Sequence, residues 1–426
     1  MFTLPLLVVT LFLQVKFPVI PGLKAALYGA LVLSALHAIF VPLKGHGDFV
    51  TYTNAFLSVS FIIRAVELLV LQELDDLQHL EKVSHVSSSI LYSWEPLPRA
   101  LGFRRFLRVC DLIANPRAIG WNHGSTKYLP PLQPVEGEAG GDHCAPEHRN
   151  MVVVAVGDRS SFLRAHLGTA VLAYLTMDTY QAAFMRNYPL LCDSVDRFLN
   201  GVLGWQVSPA TSEMVVRRYL LSPGCWIAAY AFVDGIHSAA GVFSVGLVRL
   251  FTSKHAGEPW MYPPVFGSVR HLLAFNLRDI WGKMWHDLCR NPFLALSRAA
   301  IIPVKSIPVG LQRFLVISCT FFVSGVVHVA GTYAVSQDVF AVSMMMSFFC
   351  ILPFCITAQH LLSDRFLPLL LPRSAFSRLA IWLVNMAFVM GWAHITSPWF
   401  LDHSKLPEAI GSVPLPVSVW KLAADV

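Results

Sequence analysis

Charge is scarce in this chain. Of its 426 residues only 14% are Asp, Glu, Lys or Arg, against about 25% in an ordinary soluble domain. A globule of that length could not cover its surface with so few charges, so the soluble multidomain reading that length alone permits is excluded. Disorder is excluded by the opposite abundance: 55% of the residues are hydrophobic, and a disordered chain lacks apolar bulk. Eight cysteines are present without a C-x-x-C pair, and Cys225, Cys319, Cys350 and Cys355 lie in apolar runs, which argues against a disulfide framework. G-x-S-x-G, a phosphate-binding Gly-rich loop, internal repeats and low-complexity tracts are missing as well. The net charge of +6 suits loops beside an anionic cytosolic leaflet, not nucleic acid. What is left is an all-α, polytopic transmembrane helical bundle.

A crossing helix needs about 20 mostly apolar residues. Segments 3–20, 24–43, 52–71, 162–185, 225–251, 311–333, 339–362 and 376–400 qualify, which predicts roughly eight spans, give or take two. The first lacks the basic start and small-residue cleavage site of a signal peptide and is read as an uncleaved span. Residues 72–161 are read as an aqueous loop with short helices. The connection over about 254–310 is rich in Lys and Arg, from Lys254 to Lys305, and is placed in the cytosol. The next connection, near 333–339, has neither residue and is placed in the lumen. The one after it carries Arg365, Arg373 and Arg378 and returns to the cytosol. All 426 residues then form one transmembrane domain with interfacial helices.

Two places invite chemistry. The segment from His271 to Arg290 mixes Asn276, Arg278, Asp279, Lys283, His286, Asp287 and Arg290 with Phe275, Trp281 and Trp285. On a helix, Arg278, Trp281 and Trp285 form one stripe; Asp279, Lys283 (or Gly282), His286 and Arg290 form another, with Asp279 and Lys283 in the supporting i, i+4 order. The same pattern also describes an interfacial helix with its tryptophans at headgroup level. The second place is His328, the only strongly ionisable side chain in the apolar run 314–334. An ionisable group at that depth faces a bundle interior or a wet cavity. Its neighbours Ser324, Gly325 and Gly331 form a small-residue face that permits close helix approach. A purely structural histidine stays open, but function is favoured.

Other candidates are weaker. His237, His360 and His394 read as packed or interfacial histidines, and Arg64 and Glu67 as partners of each other. His143, Cys144 and His148 lack a fourth ligand at a diagnostic spacing, so no metal site is expected. Asp193 and Asp196 stand without the second acidic cluster that a magnesium-diphosphate site needs.

The chemistry-bearing segments resemble the wax-synthase-like branch of the membrane-bound O-acyltransferases. Pro263-Pro264-Val265-Phe266-Gly267-Ser268 is similar to that branch's Pro-Pro-Leu-Phe-Gly stretch. Asn276-Leu-Arg278-Asp279-Ile-Trp281-Gly282-Lys-Met-Trp285-His286 is similar to its Ser-Leu-Arg-Asp-Phe-Trp-Gly-Arg-Arg-Trp-His. Upstream, Asn115-Pro116-Arg117-Ala118-Ile119-Gly120-Trp121-Asn122 resembles a Pro-Arg-Gly-Ile-Gly segment; downstream, Phe322 to His328 resembles Phe-x-x-Ser-Gly-x-x-His. Within the branch, the chain resembles the fungal O-acetyltransferases of meroterpenoid biosynthesis. There are two departures: Lys283-Met284 stands where the family has Arg-Arg, and Ala118 where it usually has glycine.

The resemblance implies transfer of an acyl group, most simply acetyl, from coenzyme A to a hydroxyl of a lipophilic terpenoid-derived alcohol. No permanently bound cofactor and no metal are implied; acetyl-CoA or another acyl-CoA is the co-substrate. His328 is expected to be the general base, since a neutral imidazole with pKa near working pH suits the task. His286 takes the family's other polar active-site position, orienting substrate or donating to the thioester carbonyl. Asn276, Asp279, Gly282 and Ser324 belong to the expected pocket. Trp281, Trp285 and Phe275 would wall it against water, and Arg278, Lys283 and Arg290 would meet donor phosphates. The expected partners are the lipid bilayer, acyl-CoA and the alcohol, with a multi-pass location in the endoplasmic reticulum. A long-chain wax-ester synthase and a proton-coupled transporter are the competing readings; the latter lacks the repeats expected of it.

Overall fold

The computed structural model describes residues 2–43, 46–86, 89–129, 133–134, 151–155, 158–248, 257–372 and 374–420. His143, Cys144, His148, Lys254 and Arg373 lie outside them. The chain begins with helices α1 (Thr3–Leu13), α2 (Leu23–Phe40) and α3 (Asp48–Val66), the last running on into a π-helical turn, Glu67–Leu71. After a sheet described below come α4 (Phe103–Ala114), α5 (Arg159–Tyr180), α6 (Tyr188–Arg197), α7 (Pro209–Val216) and α8 (Ser222–Phe243). The second half holds α9 (Arg290–Ile301), α10 (Val309–Ser336), α11 (Val339–His360), α12 (Ala375–Leu401) and the short α13 (Leu406–Gly411).

Six helical stretches among the described residues are long and apolar enough to cross a bilayer: Leu23–Phe40, Asp48–Leu71, Pro209–Val248, Val309–Ser336, Val339–Leu370 and Ala375–Leu401. The protein is therefore a multi-pass membrane protein. The two remaining expected spans exist as helices but fall short. The apolar stretch at the N-terminus is helical only over Thr3–Lys16, and its continuation runs through Pro18 to Gly22 in a left-handed conformation (φ 77°). Helix α5 is 22 residues long but carries Arg164, His166 and Asp178, and is not among the six. Buried Asp178 instead accepts from Ser418 Oγ (2.7 Å) and Val419 N (2.8 Å), clasping the C-terminal segment against α5.

Residues 72–161, expected as a loop with short helices, hold α4 and a four-stranded antiparallel sheet of order β1 (Gln78–Val86), β2 (Ser89–Pro96), β4 (Met151–Ala155), β3 (Gln133–Pro134). Helix α4 is bound to β1 through Arg104 and Arg108, which both reach Glu81 (2.9 and 2.6 Å). The outer side of β1 receives the segment after α4: Leu80 N donates to Gly120 O (2.8 Å) and Asn122 N to Gln78 O (3.0 Å). The sheet thus holds residues 115–122 in place.

The core sits where α3, α8, α10, α11 and α12 meet, with Tyr52, Cys225, Phe348, Phe349 and Phe400 buried together. The glycines of α10 permit this, as expected. A Cβ on Gly325 would lie 2.9 Å from Met346 Sδ, and one on Gly331 would lie 2.8 Å from the Tyr52 ring. The left-handed Gln337 ends α10, and Asp338 then caps α11 by accepting from Phe340 N (2.8 Å).

Candidate active site

The segment 271–290 is not one helix, so the two stripes expected on it form only in part. It is a short helical turn Arg270–Leu273, a left-handed Phe275 (φ 48°), a second turn Leu277–Asp279, a π-turn Ile280–Met284, and then an extended Trp285 (ψ 150°). Two long-range sets of bonds impose this shape. From one side, Gln359 of α11 accepts from Leu277 N (2.8 Å), donates to Phe275 O (2.7 Å), and is held by Asn385 of α12 (3.0 Å). From the other, Gly267 N donates to Met284 O (2.9 Å) and Asp287 N to Val265 O (3.1 Å), so that residues 265–267 pair with 284–287. Only glycine fits at 267, because a Cβ there would stand 2.0 Å from Lys283 O. The sequence announced neither Gln359 nor Asn385, which are ordinary amides inside apolar runs.

The expected site residues divide accordingly. Asn276 caps the second turn, accepting from Asp279 N (3.3 Å). Asp279 and Lys283 pair at 2.9 Å in the expected i, i+4 order. Arg278 and Gly282 are exposed. Phe275 packs edge-on against Trp382 (5.3 Å between centroids) and, like Trp281 and Trp285, against the cluster of Leu277, Ile280, Met284 and Val389. Met284, where the family pattern has a second arginine, is buried with Leu277, Ile280 and Val389.

Arg117 ties three of the four motif segments together. Its Nε lies 2.9 Å from Asp287 Oδ1, and its remaining nitrogens donate to Pro263 O (2.7 Å) and Pro264 O (3.0 Å). Tyr128 stacks under the guanidinium (4.4 Å) and gives its hydroxyl hydrogen to Asp287. Burial pushes the Asp287 carboxyl up, while Arg117, Arg290 and Lys127 pull it back. Ala118 has φ 53°, a left-handed conformation in which glycine is the unstrained residue. That explains the family's glycine there. Arg117 lies within the upstream motif segment and Asp287 one residue beyond the third; the chemistry expected of the motifs singled out neither.

His328 lies on α10 with its ring between Phe56 (5.1 Å), Phe349 (4.7 Å) and Phe400 (6.0 Å). Its Nδ1 sits 2.8 Å from the carbonyl oxygen of Ser324. A carbonyl only accepts, so Nδ1 carries the hydrogen and Nε2 keeps the basic lone pair. A run of rings leads from there to the other histidine: Phe400 stacks on Trp226 (4.7 Å), Trp226 meets Trp285 edge-on (5.3 Å), and Trp285 lies 5.5 Å from His286. Trp281 joins the same group, 5.7 Å from Trp285. His286 has a buried Nδ1 with no hydrogen-bond partner among the described residues. Burial, helped by the charges of His328 and Arg290, pushes its pKa down to about 4, so the ring is neutral at physiological pH.

Beside His286 is a cavity of about 300 Å³ whose lining includes Trp285, Asp287 and four basic groups, Lys127, His271, Lys283 and Arg290. Neither His286 nor His328 is part of its wall. Lys127 and His271 were not anticipated; both sit in connections whose positions only the fold relates.

Residues 262–351 match the model of the membrane bound O-acyl transferase family, which bears out the resemblance carried by the motifs. Among curated proteins, the chain is 24% identical to the acetyltransferase atnC of Arthrinium sp over 61% of this chain and 58% of that protein. It is 31% identical to the acetyltransferase pyr8 of Aspergillus fumigatus over 36% of each. It is 28% identical to the acetyltransferase TRI7 of Fusarium sporotrichioides over 46% of this chain and 45% of that protein. The chain thus spans between about a third and somewhat over half of the length of these relatives. No solved structure matches it.

Proposed function

We propose that the protein is a membrane O-acyltransferase that moves acetyl from acetyl-CoA to a hydroxyl of a lipophilic, terpenoid-derived alcohol at the endoplasmic reticulum. The observation that carries this reading is the His328 imidazole, set in an apolar span with Nδ1–H bonded to Ser324 O and Nε2 left as a base. The relatives' names supply the acetyl group. The basic cavity supports the donor, because Lys127, Lys283 and Arg290 suit the phosphates of coenzyme A.

In this scheme His328 Nε2 takes the alcohol proton as the oxygen attacks the thioester carbonyl carbon. Neutral His286 donates a hydrogen bond to the carbonyl oxygen as it becomes an oxyanion. Collapse breaks the C–S bond, and the proton passes from His328 to the departing sulfur, giving ester and free thiol. No net proton is exchanged. The base contributes about 10²–10⁴-fold in rate, and Trp281 and Trp285 keep water from the thioester. The test is to incubate microsomes bearing the protein with labelled acetyl-CoA or palmitoyl-CoA and a panel of terpenoid and long-chain alcohols, and to identify esters by mass spectrometry. His328→Ala abolishes transfer while the protein still inserts and binds donor; His286→Ala loses most of it. Full turnover by His328→Ala at equal protein level refutes the assignment, and esters from palmitoyl-CoA alone favour a wax synthase.

A further inference from the structure

Helix α4 has two apolar faces, and the bundle covers one of them. Val109, Leu112 and Ile113 are buried with Leu7 and Leu11 of α1 and Leu68 at the end of α3. At about 100° per residue, the opposite face carries Phe103, Phe106, Leu107, Cys110 and Ala114, and no charge. Phe103 is 74% and Phe106 42% exposed, with their rings 6.5 Å apart. A helix whose free face meets water carries polar and charged residues there. Here the charges are placed elsewhere: Arg105 and Arg108 are buried on the packed side, and Arg104 and Asp111 stand at one margin.

Two arginines fix α4 at the boundary of the membrane. Arg105 donates to Leu11 O (2.9 Å) and Phe12 O (2.9 Å), carbonyls that the C-terminal end of α1 leaves open. Arg64, in the last turn of the spanning helix α3, donates to Leu112 O (2.6 Å) and Asn115 O (3.3 Å). The 12-residue α4 is thus pinned near its start to the end of α1 and near its finish to the end of α3. It lies at the level where the apolar helices stop. The turn that follows α1 has the composition of the same level, with Val19 70% exposed between exposed Lys16 and Lys24. Apolar side chains flanked by cations suit the boundary between acyl chains and anionic headgroups.

We propose that α4 is an interfacial anchor whose free face, led by Phe103 and Phe106, is seated in the lipid leaflet on the side of Arg117 and Asp287, the side read above as cytosolic. The consequence lies in what α4 carries. Its C-terminal end runs directly into residues 115–123. Arg117 of that segment holds Asp287 and the proline pair beside the basic cavity, and His123 borders a second cavity of about 320 Å³ next to Asn291 of α9. The leaflet therefore helps to set the position of this segment against the bundle. None of this depends on which reaction the protein catalyses.

The test uses the full chain in nanodiscs of phosphatidylcholine and phosphatidylserine. The photoreactive analogue p-benzoylphenylalanine replaces Phe103 or Phe106, and in a reference sample it replaces Leu33, an exposed residue of the spanning helix α2. After irradiation, mass spectrometry is expected to find a phospholipid adduct at positions 103 and 106, as at 33. Reaction at 33 with no lipid adduct at 103 or 106 overturns the proposal. A crosslink from 103 or 106 to a second copy of the chain overturns it too, since the face is then a subunit contact. The second arm is the double variant Phe103→Asn, Phe106→Asn in the same nanodiscs. Amide hydrogen exchange over residues 101–122 is expected to rise about tenfold, as the lost burial of two phenylalanines implies, while the rest of the chain exchanges as in the wild type. Unchanged exchange over 101–122 refutes the anchor, and so does an equal rise throughout the chain, which would make the two rings part of the fold's own core.

Discussion

Replacing Gly267 with alanine is the sharpest probe of how the site is assembled. The added Cβ would lie 2.0 Å from Lys283 O, 2.9 Å from Lys283 C and 3.3 Å from Met284 Cα. All three are backbone atoms, so no side-chain rotation relieves the clash. The segments 265–267 and 284–287 must part by about 1.5 Å to restore ordinary contact at about 3.5 Å, which breaks the Gly267 N–Met284 O bond and shifts the backbone that carries Trp285 and His286. A displacement of about 1 Å in a catalytic group costs on the order of 10²-fold in rate. Gly168 of α5 is the control, since it lines neither cavity and, among the described residues, nothing stands within 4 Å of its Cβ position. Gly267→Ala is therefore expected to lose about 10²-fold in kcat, and Gly168→Ala to stay within a few-fold of wild type. The assay is transfer of labelled acetyl from acetyl-CoA in microsomes, normalised to inserted protein. Wild-type turnover by Gly267→Ala, or equal loss in both variants, refutes the reasoning.

Three further outcomes follow from the same geometry. Ala118→Gly relieves a left-handed alanine (φ 53°); the relief of about 1–2 kcal/mol exceeds glycine's entropic cost of about 0.5–1 kcal/mol. The variant should therefore melt later in detergent, and an earlier melt would contradict this. Arg117→Ala leaves Asp287 without its ion-pair partner at 2.9 Å and should cost on the order of 3 kcal/mol, seen as a lower unfolding midpoint than that of Arg117→Lys. The pH response follows from His286 and His123, both held at about 4 by burial. An unfolded imidazole binds its proton near 6.5, so the unfolded chain takes up protons first. Their contribution to stability is complete above about 6.5 and declines as pH falls toward 4. The rate limb due to His286 should likewise fall near pH 4, and a limb at 6.5 that vanishes in His286→Gln would show that the ring is not desolvated.

The crossing helices were legible because each holds a long, mostly apolar run, and run length is a local property. Segment 162–185 shows the limit of that reasoning: it does form a helix, but Asp178 within it is spent on the C-terminal segment. The sheet was not legible, since β1 reads QHLEKVSHV without apolar alternation and its neighbour β2 pairs in turn with β4, more than fifty residues further on. The site was half legible. Motif resemblance picked out the residues, and the small-residue face of α10 correctly indicated close packing around His328. The helical stripe drawn through Arg278, Trp281 and Trp285 formed only in part, because periodicity cannot register hydrogen bonds from Gln359 and Val265 that bend the segment.

The amino-acid order by itself determined that this chain is a multi-pass membrane protein, that an imidazole sits inside an apolar span, and which short segments resemble the family's motifs. These depend on hydrophobicity and residue type, which neighbours do not alter. Only the tertiary structure decided that Arg117 joins Asp287 and the proline pair, that Trp285 leaves the helix, and that two cavities open on either side of α9. Those outcomes depend on backbone groups finding partners far along the chain, and a carbonyl looks the same in every residue until the fold has placed it.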